Sequence, residues 1–146
     1  MDKLIQFWDG LSPRIKNIIV TILGILIGGQ VNSFLVKISP YVIGLPNGVD
    51  VNKFETLVAN IHLFEPKHFI MPFLAHALGT LVAAFIACKL AVSHHFRIAM
   101  VCGGLFFIGG AMAVWMIPAP MWFNILDLTM AYIPMGWLGY KLANNK

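Results

Sequence analysis

Residues 62–79 read HLFEPKHFIMPFLAHALG, and the apolar run continues to Cys88 before the next charged residue, Lys89. Three histidines, a glutamate and two prolines stand at the mouth of this run. Proline disfavours helical geometry in the residue before it, so Glu65 ends one element and Pro66 can open the next. From Phe69 to Val92 the chain is then long and apolar enough to cross a hydrocarbon core, which takes about 20 helical residues. HLFEPKH is not H-E-x-x-H, and Pro66 breaks the helix that such a zinc motif requires. The stretch therefore reads as the approach to a spanning helix and that helix's first turns.

Working outward, three further runs of similar character cover residues 15–38, 96–117 and 121–141. Of 146 residues, 59% are hydrophobic and only 11% charged, far below the roughly one quarter of charged residues in a soluble domain. The expected fold is all-α: an integral membrane four-helix bundle built as two helical hairpins, one transmembrane domain over residues 1–146. An outer loop, 39–68, joins the first span to the second, and an amphipathic interfacial helix is expected in it at about 52–64. There Phe54, Leu57, Val58 and Ile61 recur at helical spacing, and Asn52 with Glu55 has the pattern of a capping box. Little chain is left over for a soluble catalytic domain. A secretory signal over Ile18–Ile27 is disfavoured, because no A-x-A-like site follows and apolar character resumes at Phe34.

Lys and Arg are retained on the cytoplasmic side. Lys3, Arg14 and Lys16 precede the first span, Lys89 and Arg97 flank the second turn, and Lys141 and Lys146 follow the last span. With four spans all lie on one side, so both termini are expected in the cytoplasm. The formal charge of +4 is scattered over helix ends and is no nucleic-acid surface. The partners to expect are the lipid bilayer and either further copies of the chain or a larger membrane protein; no nucleic acid is implied. Trp8, Trp137 and Tyr140 on the inner side and Tyr41, Trp115 and Trp122 on the outer form two aromatic belts. Cys88 and Cys102 read as small buried residues near the reducing side.

Helices in lipid associate through close approach more than through hydrophobic drive, so small residues mark the seams. Gly24, Gly28 and Asn32 line one on the first span, Ala75, Gly79 and Ala83 on the second, and Ala99, Gly103 and Gly110 on the third. His76 shares the Ala75–Gly79 face and points inward, about 12 Å below His68 at 1.5 Å per residue. Asp127 lies about 9 Å below the same surface on the fourth span. A charge in mid-membrane costs roughly 2.5–3.5 kcal/mol, so Asp127 needs a partner, and His76 is the ionisable residue at its depth.

The candidate ligand or ion pocket is thus His76, Asp127, Asn124, Asn32 and Gln30, with His62, Glu65 and His68 at its entrance. These residues point to a non-enzymatic membrane protein, a ligand- or ion-binding or transport component or an accessory subunit. The alternative is an integral-membrane enzyme or metal-binding protein using His76, Asp127 and the Glu65–His68 entrance, a metal then falling to His62, Glu65 and His68. No nucleophile elbow, phosphate loop or dinucleotide fingerprint is present, and no cofactor is indicated.

FEPKHF (64–69), PFLAHALGTLVAAFIA (72–87) and PMWFNILDLTMAYIPMGW (120–137) resemble a family of small four-helix bacterial membrane proteins. The likeness covers most of the chain after Asp50. It implies a bacterial inner-membrane location and brings no activity, cofactor or catalytic residue.

Overall fold

The computed structural model describes residues 2–46, 49–50 and 53–145, and these are all-helical, with no strand among them. A short helix α1 (Asp2–Gly10) precedes α2 (Pro13–Val42), which Ser12 caps by accepting from the Ile15 N–H at 3.4 Å. The outer loop holds α3 (Phe54–Asn60) and a 3-10 turn, Ile61–Leu63. A second 3-10 turn, Pro66–Phe69, runs into α4 (Ile70–Leu90), and α5 (His95–Met116) returns alongside it. The chain ends in α6 (Met121–Met130) and α7 (Ile133–Asn144). Three stretches are long and apolar enough to cross a membrane: Pro13–Val42, Pro66–Leu90 and His95–Met116.

Three expectations change. The run 121–141 is not one helix, because α6 stops at Met130 and α7 begins at Ile133. Pro134 is the cause: it lacks the N–H that would bond to Met130, and its ring collides with that carbonyl. The outer-loop helix is shorter than 52–64 and tightens into 3-10 geometry from Ile61. Asn52, its expected cap, lies outside the described residues; Lys53 precedes α3 without a side-chain cap, and Thr56 Oγ1 secures the approach by donating to the Asp50 carbonyl at 2.7 Å. The bundle is also not two separable hairpins, since α4 packs against α2, α5 and α7 together.

The reason lies in small residues on every side of α4. A Cβ added to Gly28 would run into the Gly79 carbonyl and stand 2.6 Å from Ala83 Cβ, and Gly79 faces Asn32 of α2 in the same way. On the opposite side, a Cβ at Gly139 of α7 would lie 2.7 Å from the Leu81 carbonyl. Backbones touch there, and Ala75, Ala83, Ala84 and Ala87 are fully enclosed.

Each end of the α2–α4 pair is bolted by one side chain. Asn17 donates from Nδ2 to the Ser93 carbonyl (3.1 Å) and hydroxyl (3.0 Å), and its Oδ1 accepts from the Val92 N–H at 3.1 Å. These bonds hold the α4–α5 turn, in which His94 adopts a left-handed φ of 57°. At the other end His68 Nδ1 accepts from the Glu65 N–H at 2.8 Å, so Nε2 carries the hydrogen and donates to the Gly44 carbonyl at 3.0 Å.

Gly28→Ala should therefore destabilise the protein by about 1–3 kcal/mol through overpacking, whereas Gly29→Ala, with nothing within 4 Å of its added Cβ, should not. Thermal unfolding of both variants in one detergent checks this; equal midpoints would show that α2 and α4 are not in backbone contact.

Candidate functional site

Asp127 lies in the last turn of α6, 2% exposed, where a carboxylate must find donors inside the protein. Two elements supply them. From α4, His76 Nδ1 lies 2.9 Å from Asp127 Oδ1 and 3.0 Å from Oδ2. From the α6–α7 break, the Tyr132 hydroxyl donates to Oδ2 at 2.7 Å, its oxygen 3.0 Å from His76 Nδ1. The His76 and Tyr132 rings stack with centroids 5.8 Å apart. Gly110 of α5 makes the space, since a Cβ there would overlap the Tyr132 hydroxyl and ring. Thr80 is spent locally, donating to the His76 carbonyl at 2.8 Å.

The other ring nitrogen, His76 Nε2, has no hydrogen-bonding partner among the described residues. Its proton follows from charge. The pair is neutral either as imidazolium with carboxylate or as imidazole with carboxylic acid, and in both arrangements Nε2 bears a hydrogen. Stripping that hydrogen leaves one net negative charge in an enclosed place. In the neutral form of the pair, Nε2 is therefore an N–H donor.

His76 borders two spaces. One is a cavity of about 200 Å³ between α2, α4, α5 and α6, with His76, Asp127 and Asn124 at its floor and Leu57, Ile61 and Phe64 of the outer loop above. An aromatic cluster closes one wall: Phe69 meets Phe123 at 4.7 Å and Trp122 at 5.5 Å between ring centroids. The other space is a groove of about 310 Å³ on the flank between α2 and α5, where Asn32 stands near His76 and Tyr132. His76, Gly110 and Ala113 border both.

Among the residues singled out from sequence, His76, Asp127, Asn124 and His68 border the cavity, and Asn32 borders the groove. Gln30 does not join them: it lies on the exposed face of α2, about 160° around the helix from Asn32's neighbour Gly28 once 100° per residue is applied. The entrance residues do not converge. His62 and Glu65 are exposed, and the Glu65 carboxylate takes the Lys67 ammonium at 2.8 Å. That hydrogen bond and charge hold the Glu65 carboxyl below its ordinary range. Both nitrogens of His68 are engaged with backbone groups, and no three His, Cys, Asp or Glu side chains cluster for a metal among the described residues.

Tyr132 was invisible to a helical reading. Five positions after Asp127 on an unbroken helix it would point about 140° away. The signal was Pro134, which ends α6 one turn earlier and lets Tyr132, at φ −118° and ψ −77°, fold back onto the carboxylate.

A double-mutant cycle of Tyr132→Phe with Asp127→Asn should give a coupling of about 0.6–1.7 kcal/mol in unfolding free energy, the range of hydrogen bonds inside membrane proteins. Additivity within about 0.3 kcal/mol would mean that hydroxyl and carboxylate do not interact. Comparison with protein-family models, curated proteins and solved structures gives no match for this chain.

Proposed function

We propose that the chain is a four-crossing protein of the bacterial inner membrane, both termini cytoplasmic, that binds a small ligand in its outward cavity without transforming it. The observation that carries the ligand reading is the cavity itself, apolar along its walls and bordered by His76, whose Nε2 has no partner among the described residues. Ligand sites have this form, with few polar groups placed at one end of an apolar space.

The membrane reading is supported by the bundle's outer surface. Ile18, Ile22, Leu26 and Phe34 of α2 and Ile108 and Met112 of α5 are more than half exposed, an apolar surface that water would not tolerate. In this reading α6 and α7 together make the fourth crossing. Tyr41 and Trp115, 89% and 88% exposed, stand at one end, where amphipathic rings favour the interface. Arg14, Lys16, Lys89, Arg97 and Lys141 gather at the other end, where Lys89 Nζ reaches the Ala143 carbonyl at 3.4 Å. Fewer cations, Lys37, Lys53 and Lys67, lie toward the outer end. This imbalance supports a cytoplasmic location for the first set.

Binding is preferred to conduction because the inner half is a closed apolar core of Ala83, Ala87, Cys88, Ala99 and Cys102. One observation favours the alternative of an integral-membrane enzyme: the contact with Asp127 holds the His76 imidazole at the border of the cavity, where an N–H at Nε2 stands in the position of a general acid. A bound compound recovered unchanged after long incubation separates binding from turnover.

A small apolar fluorophore such as aminoanthracene should brighten saturably on binding the detergent-purified protein. Val114→Trp, which fills the cavity wall, should weaken that response about tenfold or more. An unchanged response would sink the cavity reading. For orientation, Ala59→Cys should react with an impermeant maleimide on intact cells, and Asn145→Cys only after permeabilisation. The native thiols of Cys88 and Cys102 are buried and add little background. The reverse pattern would overturn the proposed topology.

A further inference from the structure

We infer that the ligand is an uncharged carbonyl compound on a long apolar tail, which reaches His76 sideways from the bilayer through the furrow between α2 and α5. This rests on the pocket reading above and adds the ligand's class and its route.

Four observations converge. First, the groove at His76 is one end of a longer furrow: it shares Ile25 and Leu105 with a second space of about 320 Å³ that continues past Ile22 and Ile18 to Arg97. Along α5, from Arg97 to Gly110, this path measures about 20 Å at 1.5 Å per residue. Its length and apolar walls suit an extended hydrocarbon chain. Second, the furrow exists because α2 and α5 both pack on α4 and scarcely on each other, so it opens toward the acyl chains and not toward water.

Third, two polar groups without partners among the described residues border its upper end, His76 Nε2 and the Asn32 side-chain amide. Polar groups facing hydrocarbon without partners are costly, so an occupant that satisfies them gains affinity. Fourth, we take the His76–Asp127 pair as neutral, so that Nε2 carries a hydrogen, and the Asn32 amide bordering the same groove has an NH₂ to turn toward the same acceptor. The complementary head is therefore a hydrogen-bond acceptor. It is uncharged, because a charged head would have to leave water for the middle of the bilayer. A carbonyl oxygen fits, and beyond His76 the outer cavity has room for the body that carries it. Lipid-soluble quinones and protonated fatty acids share this chemistry.

The test uses the whole chain in nanodiscs of an ether-linked phosphatidylcholine, which supplies no ester carbonyl. Decylbenzoquinone and oleic acid are the carbonyl probes, and hexadecane is the tail-only control. The readout is the midpoint of thermal unfolding against probe concentration. At least one carbonyl probe should raise the midpoint saturably and hexadecane should not; the larger response identifies quinone or acid as the source. Gly109→Trp plugs the groove at a position with open space around its Cβ, so it should fold and abolish the response. Asn32→Ala and His76→Gln should each weaken the apparent affinity about tenfold.

An equal response to hexadecane overturns carbonyl recognition. A carbonyl response lost in Val114→Trp but intact in Gly109→Trp overturns the sideways route and leaves the cavity reading standing. No carbonyl response, with fluorophore binding retained, overturns this proposal alone, whereas absence of both removes the cavity reading too.

Discussion

Backbone contact along α4 is the constraint from which the rest of the structure follows. In the membrane setting proposed above, apolar side chains gain nothing from meeting each other in preference to lipid, so helices must come close enough for dispersion to decide. Gly24 and Gly28 on one side and Gly139 on the other let α2 and α7 reach the α4 main chain. Gly136 brings α7 equally close to α5, a Cβ there standing 3.0 Å from the Ala99 carbonyl. Around α4, the helices α5 and α7 still meet each other, whereas α2 and α5 scarcely touch. The space left between α2 and α5 is a geometric result of the tightness elsewhere.

The polar cluster is built into that arrangement and not added to it. His76 shares its helix face with Ala75 and Gly79, so the seam that brings α2 close also holds the imidazole beneath the cavity. Asp127 is enclosed by the same docking, and its two oxygens are answered by two donors from different elements. Among the described residues no buried side-chain nitrogen or oxygen lacks a partner. The unpartnered His76 nitrogen and Asn32 amide are those left at the edge of open space.

How much of this could be read from sequence depended on whether the helix ran straight. Gly24, Gly28, Ala75, Gly79 and Ala83 could be assigned to seams because spacings of four describe a regular helix, and His76 followed from them. The depth of Asp127 came from counting residues below Met121. Gln30 shares the depth of Asn32, but on the regular α2 its direction alone places it outside. Regularity fails at Tyr132, because Pro134 changes the direction of everything between Met130 and itself. The glycines of α7, Gly136 and Gly139, were unreadable for the same reason: their faces are set by the break. His68 carries a ligand-type side chain, but its two nitrogens are occupied by the Glu65 N–H and the Gly44 carbonyl, neither of which a side-chain pattern reveals.

The break after Met130 has an electrostatic side. Peptide dipoles in α6 sum to a partial negative charge at its C-terminal end, and Asp127 stands within that last turn, where an anion is repelled. An unbroken helix would have carried this negative end some fifteen residues farther on, away from the carboxylate. By stopping α6 early, Pro134 makes the site more hostile to the charge of Asp127 and, in the same movement, brings in the Tyr132 hydroxyl that offsets it. The Asp127 carboxyl is thus held between an opposing helix end and the side chains of Tyr132 and His76, in a field that the chain's own path creates.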